Sequence, residues 1–256
     1  MKPLILISND DGVLAKGLQY LINIAKLYGD VFVVAPEKGE SGMSHAITIK
    51  NPIRVKKLEQ TQGLTIYSCN GTPVDTIKLA LDKLIPRKPD LILSGINHGS
   101  NSAISLIYSG TMGAAREGAL NSIPSIGFSI TDHSSEADFE PSVKFVKQII
   151  EDVLKNGLEK NVFLNVNIPN ISEKDIKGIK ICAQTNGLWK QEYDERTDPN
   201  GGVYYWLTGY FDNYEPSNKE TDEWALQNNY IAIVPVKLNT TEFNYIETLK
   251  NRYNGI

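Results

Sequence analysis

The sequence predicts an α/β protein: an open, mainly parallel sheet with helices on both faces, extended towards the C-terminus by a β-hairpin. Two observations carry this. Short apolar runs alternate with stretches of helical periodicity over the first two-thirds of the chain, as strand–helix–strand units do. From about residue 185 the texture becomes polar, aromatic and turn-rich before one last apolar run at 230–238.

"LILIS" (4–8) reads as a buried strand and "LAKGLQYLINIAKLYG" (14–29) as an amphipathic helix closed by Gly29. "VFVVAP" (31–36) is a strand stopped by Pro36. "AITIK" (46–50), "IRVKKLE" (53–59) and "LTIYSCN" (64–70) alternate like antiparallel or edge strands. A helix over 73–85 starts with Pro73 behind Thr72 as its cap. A strand at 90–95, a helix with its preceding turn at 109–122, a strand at 125–130, a helix at 141–157 and a strand at 162–169 follow. "VYYWLTGYF" (203–211) is a candidate hairpin, 222–229 a short helix and 230–238 a late strand. The expected organisation is one domain over 1–256: an α/β core (1–184), a hairpin extension (185–220), then a return strand and C-terminal helix (221–256).

The 256 residues, 41% of them hydrophobic, suffice for a full core. The net charge of −4, with 26 basic residues dispersed among 30 acidic ones, counts against binding polymeric nucleic acid or an anionic membrane. Cys69 and Cys182 form neither a disulfide framework nor a zinc spacing. The short apolar run after Lys2 is cut off at Asn9, unlike a secretory signal, and no run approaches the ~18 apolar residues of a membrane helix. The expected location is cytoplasmic.

In such sheets ligands gather outside the carboxyl ends of the strands. That rule puts Asn9-Asp10-Asp11-Gly12, the loop after Pro36 and the loop after Gly95 on one rim. Adjacent carboxylates repel unless solvent, a proton or a cation relieves them. Asp-Gly turn chemistry or a helix cap would explain Asp10 and Asp11 equally well. Their position at a strand end favours a hard cation, which takes one or two carboxylates and keeps several waters. The loop "EKGESGMSHAIT" (37–48), taken alone, reads as a mobile surface loop. The segment 94–118 offers Asn97, His98 and Asn101, then enters a helix through Ser109-Gly110-Thr111. Free amides, two hydroxyls and the positive end of a helix dipole make that turn a physical site for a phosphate dianion, although a plain helix cap would use the same residues. "GVLAKG" lacks dinucleotide-fingerprint spacing, and neither a Walker-type loop nor a G-x-S-x-G elbow occurs. His45, His98 and His133 have no metal-binding spacing; His133 reads as a surface residue, and His98, beside Asn97, as a candidate acid or base.

The segments "ISNDDG", "APEKGESGMSHAIT", "NGTPVDTIKLAL", "LSGINHGSN", "YSGTMGAAREG", "LNVNIP" and "TDEWALQNNYIAIVPV", in this order from residue 4 to about 238, resemble the SurE family of stationary-phase survival proteins, metal-dependent 5′-nucleotidases also called nucleoside monophosphate phosphohydrolases. The resemblance implies that Asp10, Asp11, Ser41 and Asn97 hold a divalent metal ion, Mg²⁺ or Mn²⁺, and that Ser109, Gly110 and Thr111, with Asn97, hold the phosphate. It further implies a Rossmann-like three-layer core with a C-terminal hairpin exchanged between subunits of a homodimer or homotetramer; the other reading of the aromatic segment is a self-packed hairpin. One departure stands out. Where the family usually carries Gly-Asp-Asp before Tyr-Ser-Gly-Thr, this chain has Ala103-Ile104-Ser105.

The expected reaction is metal-assisted hydrolysis of a nucleoside monophosphate, with 3′-nucleotides and short polyphosphate as further candidate substrates. Asp10, Asp11, Asn97 and His98 are the expected catalytic residues, His98 or a metal-bound water giving the leaving alkoxide its proton. Attack by water and a direct aspartyl-phosphate both remain open. So does a metal-dependent nucleotide-binding regulatory protein without turnover, for which the altered 103–105 segment leaves room. A redox enzyme on a dinucleotide fold suffers from the missing glycine fingerprint.

Overall fold

The computed structural model describes residues 2–254. Its elements in chain order are β1 (Leu4–Ser8), α1 (Lys16–Ala25), β2 (Asp30–Pro36), β3 (Val55–Thr61), β4 (Leu64–Cys69) and α2 (Pro73–Leu79), which runs on into a π turn at Ala80–Leu84. Then come β5 (Leu91–His98), α3 (Ser105–Tyr108), α4 (Gly110–Leu120), β6 (Ser125–Ile130), α5 (Val143–Asn156), β7 (Val162–Ile168) and β8 (Ile179–Ile181). The last part holds β9 (Gly187–Lys190), β10 (Tyr193–Thr197), β11 (Val203–Leu207), β12 (Tyr210–Asn213), α6 (Asp222–Gln227), β13 (Ile231–Lys237) and α7 (Phe243–Tyr253).

Nine strands form one sheet in the order β3-β4-β2-β1-β5-β6-β7-β13-β8. The six from β4 to β7 are mutually parallel, and β3 and β13 pair antiparallel with their neighbours β4 and β7. Alternation along β1 builds the three layers. Ile5 and Ile7 face a core shared with Leu18 and Leu21 of α1 and Ile149 and Ile150 of α5. Leu4 and Leu6 face the opposite core, with Ile77 of α2 and Ala114 of α4. From β1 the chain runs outwards through β2 to β4; it then returns to β5 on the other side of β1 and continues through β6 to β7. The order therefore reverses between β1 and β5, where such sheets open a crevice at their carboxyl ends. Among the described residues no helix is long and apolar enough to cross a membrane.

The expected α/β fold with C-terminal hairpins is present, with two local corrections. Residues 46–50 form no strand. Their polar backbone groups serve the start of α2 instead: Thr72 donates its hydroxyl to the Ala46 carbonyl (2.7 Å), and Thr48 donates its amide (3.0 Å) and hydroxyl (2.6 Å) to the Asp75 carboxylate. Thr72 and Asp75 also close a capping box on α2. Residues 203–211 do not fold back on themselves. β11 pairs with β10, Tyr193 opposite Leu207, and β12 pairs with β9, Tyr210 opposite Lys190. The reversal lies at "DPNGG", where the Asp198 carboxylate accepts from the amides of Asn200 (2.7 Å) and Gly202 (3.0 Å).

Asp222, at the start of α6, joins three parts of the chain. Fully buried, it accepts from the amide of Ala103 (2.8 Å), the amide and hydroxyl of Thr185 (2.9 and 2.5 Å) and the amide of Glu223 (2.9 Å). The loop after β5, the root of the long hairpin and α6 thus share one carboxylate. Asp222→Ala would strand these donors in a site closed to water, and urea unfolding is expected to show a loss of about 3 kcal/mol.

Candidate active site

β1 ends at Ser8, and the chain turns sharply through Asn9 to Gly12. Asn9 donates its side-chain amide to the Gly12 carbonyl (2.9 Å), and the Val13 amide donates to the Pro36 carbonyl (2.8 Å) at the end of β2. This turn holds Asp10 only 3% exposed, with Asp11 half-buried beside it. Thr111 donates its hydroxyl to one Asp10 oxygen, and its backbone amide also points to that carboxylate. A β-carbon on Gly110 would lie 2.9 Å from the β-carbon of Asp10, so only glycine lets the first turn of α4 approach this closely. Asp11 accepts from the His98 amide at 3.2 Å. Burial pushes the Asp10 carboxyl up to about 6, against the Thr111 hydrogen bond and with help from the neighbouring charge of Asp11. Burial likewise raises Asp11, offset by the amide and ring of His98.

Asn97, at the end of β5, is buried and donates its side-chain amide to the Gly99 carbonyl (2.8 Å). Ser41 sits in the 37–48 loop, which is tied down at several points. The Glu40 amide donates to the Asp10 carbonyl (2.7 Å), and Ser44 donates its amide to the Tyr108 carbonyl (2.9 Å) and its hydroxyl to the Ile107 carbonyl (2.7 Å). His45 reaches Glu117 of α4 at 3.1 Å, with Lys78 of α2 on the same carboxylate at 3.2 Å. The loop is a fixed strap across the site, contrary to the mobile segment expected from its composition.

Asp10, Ser41, Asn97, His98 and Ser109 line one cavity of about 820 Å³; Asp11 adjoins it through its contact with His98. Ser109 caps α4, its hydroxyl oxygen accepting from the Met112 amide (3.1 Å). Thr111, expected at the phosphate, is fully buried and turns its hydroxyl to Asp10. The His98 ring stands edge-on to Phe139 at 5.0 Å, and its Nδ1 is buried with no hydrogen-bond partner among the described residues. His133 is exposed, as expected, yet lines the same cavity, and a side chain on Gly99 would collide with its ring. Trp189, Glu192, Tyr193, Leu207 and Thr208 of the hairpin complete the wall. Sequence reasoning missed these five, since only the folded hairpin brings them there.

The donor set suits a hard divalent cation. One Asp10 oxygen is engaged by the Thr111 hydroxyl and one Asp11 oxygen by the His98 amide, leaving the second oxygen of each, the Asn97 side-chain oxygen and the Ser41 hydroxyl for a ligand. Among the described residues no cluster of three or more His, Cys, Asp or Glu side chains occurs, so a cation here would rest on two carboxylates and neutral oxygens.

Fold and site together define an α/β protein with an acidic, oxygen-lined crevice at a strand switch point, facing the N-terminus of a helix. The family model for "Survival protein SurE" matches residues 5–191, and the chain belongs to the SurE family. It is 51% identical over 252 residues to the 5′-nucleotidase SurE of Christiangramia forsetii, covering 98% of this chain and 96% of that protein. It is 52% identical over 256 residues to the 5′-nucleotidase SurE of Flavobacterium johnsoniae, covering 99% and 98%. The crystal structure of the SurE protein from Aquifex aeolicus superposes with a TM-score of 0.85 at 34% identity, covering 98% of this chain and 99% of that one.

The raised Asp10 pKa makes this carboxylate a cost to the metal-free fold at neutral pH. The folded state holds a proton that the unfolded state, titrating near 3.8, has released, so stability is lost as pH rises from about 4 to about 6. In EDTA, Asp10→Asn is expected to unfold later than the parent at pH 7, by up to about 3 kcal/mol. The difference should vanish below pH 4, as read from urea or thermal melts across pH.

Proposed function

We propose that this chain is a divalent-metal-dependent 5′-nucleotidase that releases phosphate from nucleoside monophosphates. The observation that carries the reading is the buried Asp10 carboxylate on the floor of a cavity, bonded to the first turn of a helix whose N-terminus opens on the same space. The family relatives named 5′-nucleotidase support it. Mg²⁺ or Mn²⁺ would be held by Asp10, Asp11, Ser41 and Asn97, and such an ion polarises a phosphoryl oxygen and acidifies a bound water.

The chain's own groups divide the remaining work. Thr111 fixes Asp10 from behind, and the His98 amide fixes Asp11, so both carboxylates stay oriented without substrate. The Ser109 hydroxyl, the Gly110 amide and the dipole of α4 would receive the phosphate oxygens, with Thr111 serving through Asp10. His98, on the cavity wall, would give its proton to the departing alkoxide. Phosphate release from AMP should require Mg²⁺ or Mn²⁺, stop in EDTA and fall at least a hundredfold in Asp10→Asn. A folded chain that binds AMP without releasing phosphate under any metal would instead be a nucleotide-binding regulator. 3′-Nucleotides and short polyphosphate, which share the terminal phosphoryl group, belong in the same assay.

The reading includes one SurE-like domain working in the cytoplasm as a homo-oligomer, with the hairpin exchanged between subunits. Exposed large side chains support the exchange: Tyr204, Tyr205, Trp206 and Leu207 in β11 and Tyr210 in β12 are left uncovered by their own chain. Light scattering after size exclusion should give a dimer or tetramer, and Trp206→Asp should shift it towards monomer; a monomeric parent would overturn the exchange.

A further inference from the structure

The walls of the 820 Å³ cavity differ in chemistry. One carries Asp10, Asn97 and Ser109, the groups suited to a phosphate and its cation. The other is the root of the long hairpin, with Trp189, Tyr193 and Leu207 turned to the same space. A phosphate and an ion fill only part of such a volume, which lies in the range of small-molecule pockets that bury a whole ligand.

The aromatic wall is built rather than incidental. Trp189 donates its indole N–H to the Ser105 hydroxyl (3.3 Å), and its ring meets Phe211 at 6.2 Å with a 62° tilt. Tyr193 lies directly across the ribbon from Leu207, and the two are 70% and 69% exposed, so their own chain leaves their faces open. The step between the two ribbon segments is fixed by left-handed Gln191 and Gly209 and by the Thr208 amide on the Glu192 carbonyl (2.7 Å). The neutral Ser105 hydroxyl accepts the indole hydrogen bond and adds no charge beside the ring.

We propose that Trp189 and Tyr193 form the nucleobase subsite, the base of the nucleoside monophosphate stacking on them while its phosphate rests at Ser109 and Gly110. This deepens the nucleotidase reading and rests on it. The π face of any base suits such a wall, so recognition is of a base as such, and a sugar phosphate without one loses the contact.

The test compares kcat/KM for AMP and ribose 5-phosphate in the full chain with Mn²⁺. The parent is expected to favour AMP at least tenfold. In Trp189→Ala and in Tyr193→Ala that ratio should fall about tenfold through KM for AMP, whereas Tyr193→Phe keeps it. An unchanged ratio in both alanine variants would overturn the subsite. So would a ratio that falls only together with the oligomer mass, which would assign the wall to a second copy of the chain. If the parent releases phosphate from neither compound, the nucleotidase reading fails. Calorimetric binding of AMP against ribose 5-phosphate to the same variants then decides the subsite by itself, equal loss for both ligands overturning it.

Discussion

The structure depends on keeping two neighbouring carboxylates at the end of a buried strand. Asp10 follows a strand whose every residue is buried, so its charge has little water to lean on. The fold answers with oriented donors: the Thr111 hydroxyl and amide on Asp10, the His98 amide on Asp11. Both donors come from β5 and the crossover that leaves it. Thr111 opens the helix after β5, and His98 ends β5 itself, so the sheet order that sets β5 beside β1 is what brings them together. A Rossmann-like topology is therefore a condition for the acidic pair, since only at the switch point do two strand ends and a helix start meet.

The strap over residues 37–48 follows from the same requirement. Ser41 can serve the acidic pair only if the loop is held, and several of its hydrogen bonds run to neighbours of the site: the Asp10 carbonyl, the last turn before Ser109 and the flank of α4. Glu117 is buried and paired with both His45 and Lys78, so the strap and α2 attach to α4 through one carboxylate. These paired charges lower the Glu117 carboxyl against the opposing effect of its burial.

Much of this was legible in the sequence. Continuous apolar runs marked the parallel strands, as burial on both faces requires, and period-3.6 patterns marked the helices. The position of Asp10, Asn97 and Ser109 after predicted elements sufficed to gather them on one rim. Residues 46–50 misled because their alternation is real but their backbone is claimed by Asp75 and Thr72, a tertiary use of polar groups that periodicity does not register. The 37–48 loop looked free because its tethers are long-range. The hairpin aromatics were visible as a composition, but their partners depended on locating the reversal at "DPNGG" rather than at 207–209.

Asp222 separates what can change from what cannot. By gripping Thr185 and Ala103 together, it clamps the hairpin where the arm leaves the sheet, so the root that lines the cavity is held and only the outer ribbon, residues 194–206, lies away from it. Substitutions in the outer ribbon would leave the acidic pair and its donors in their places. The fold is in this sense modular within a single chain: a reaction centre in the sheet and an arm projecting from it, joined by one buried carboxylate.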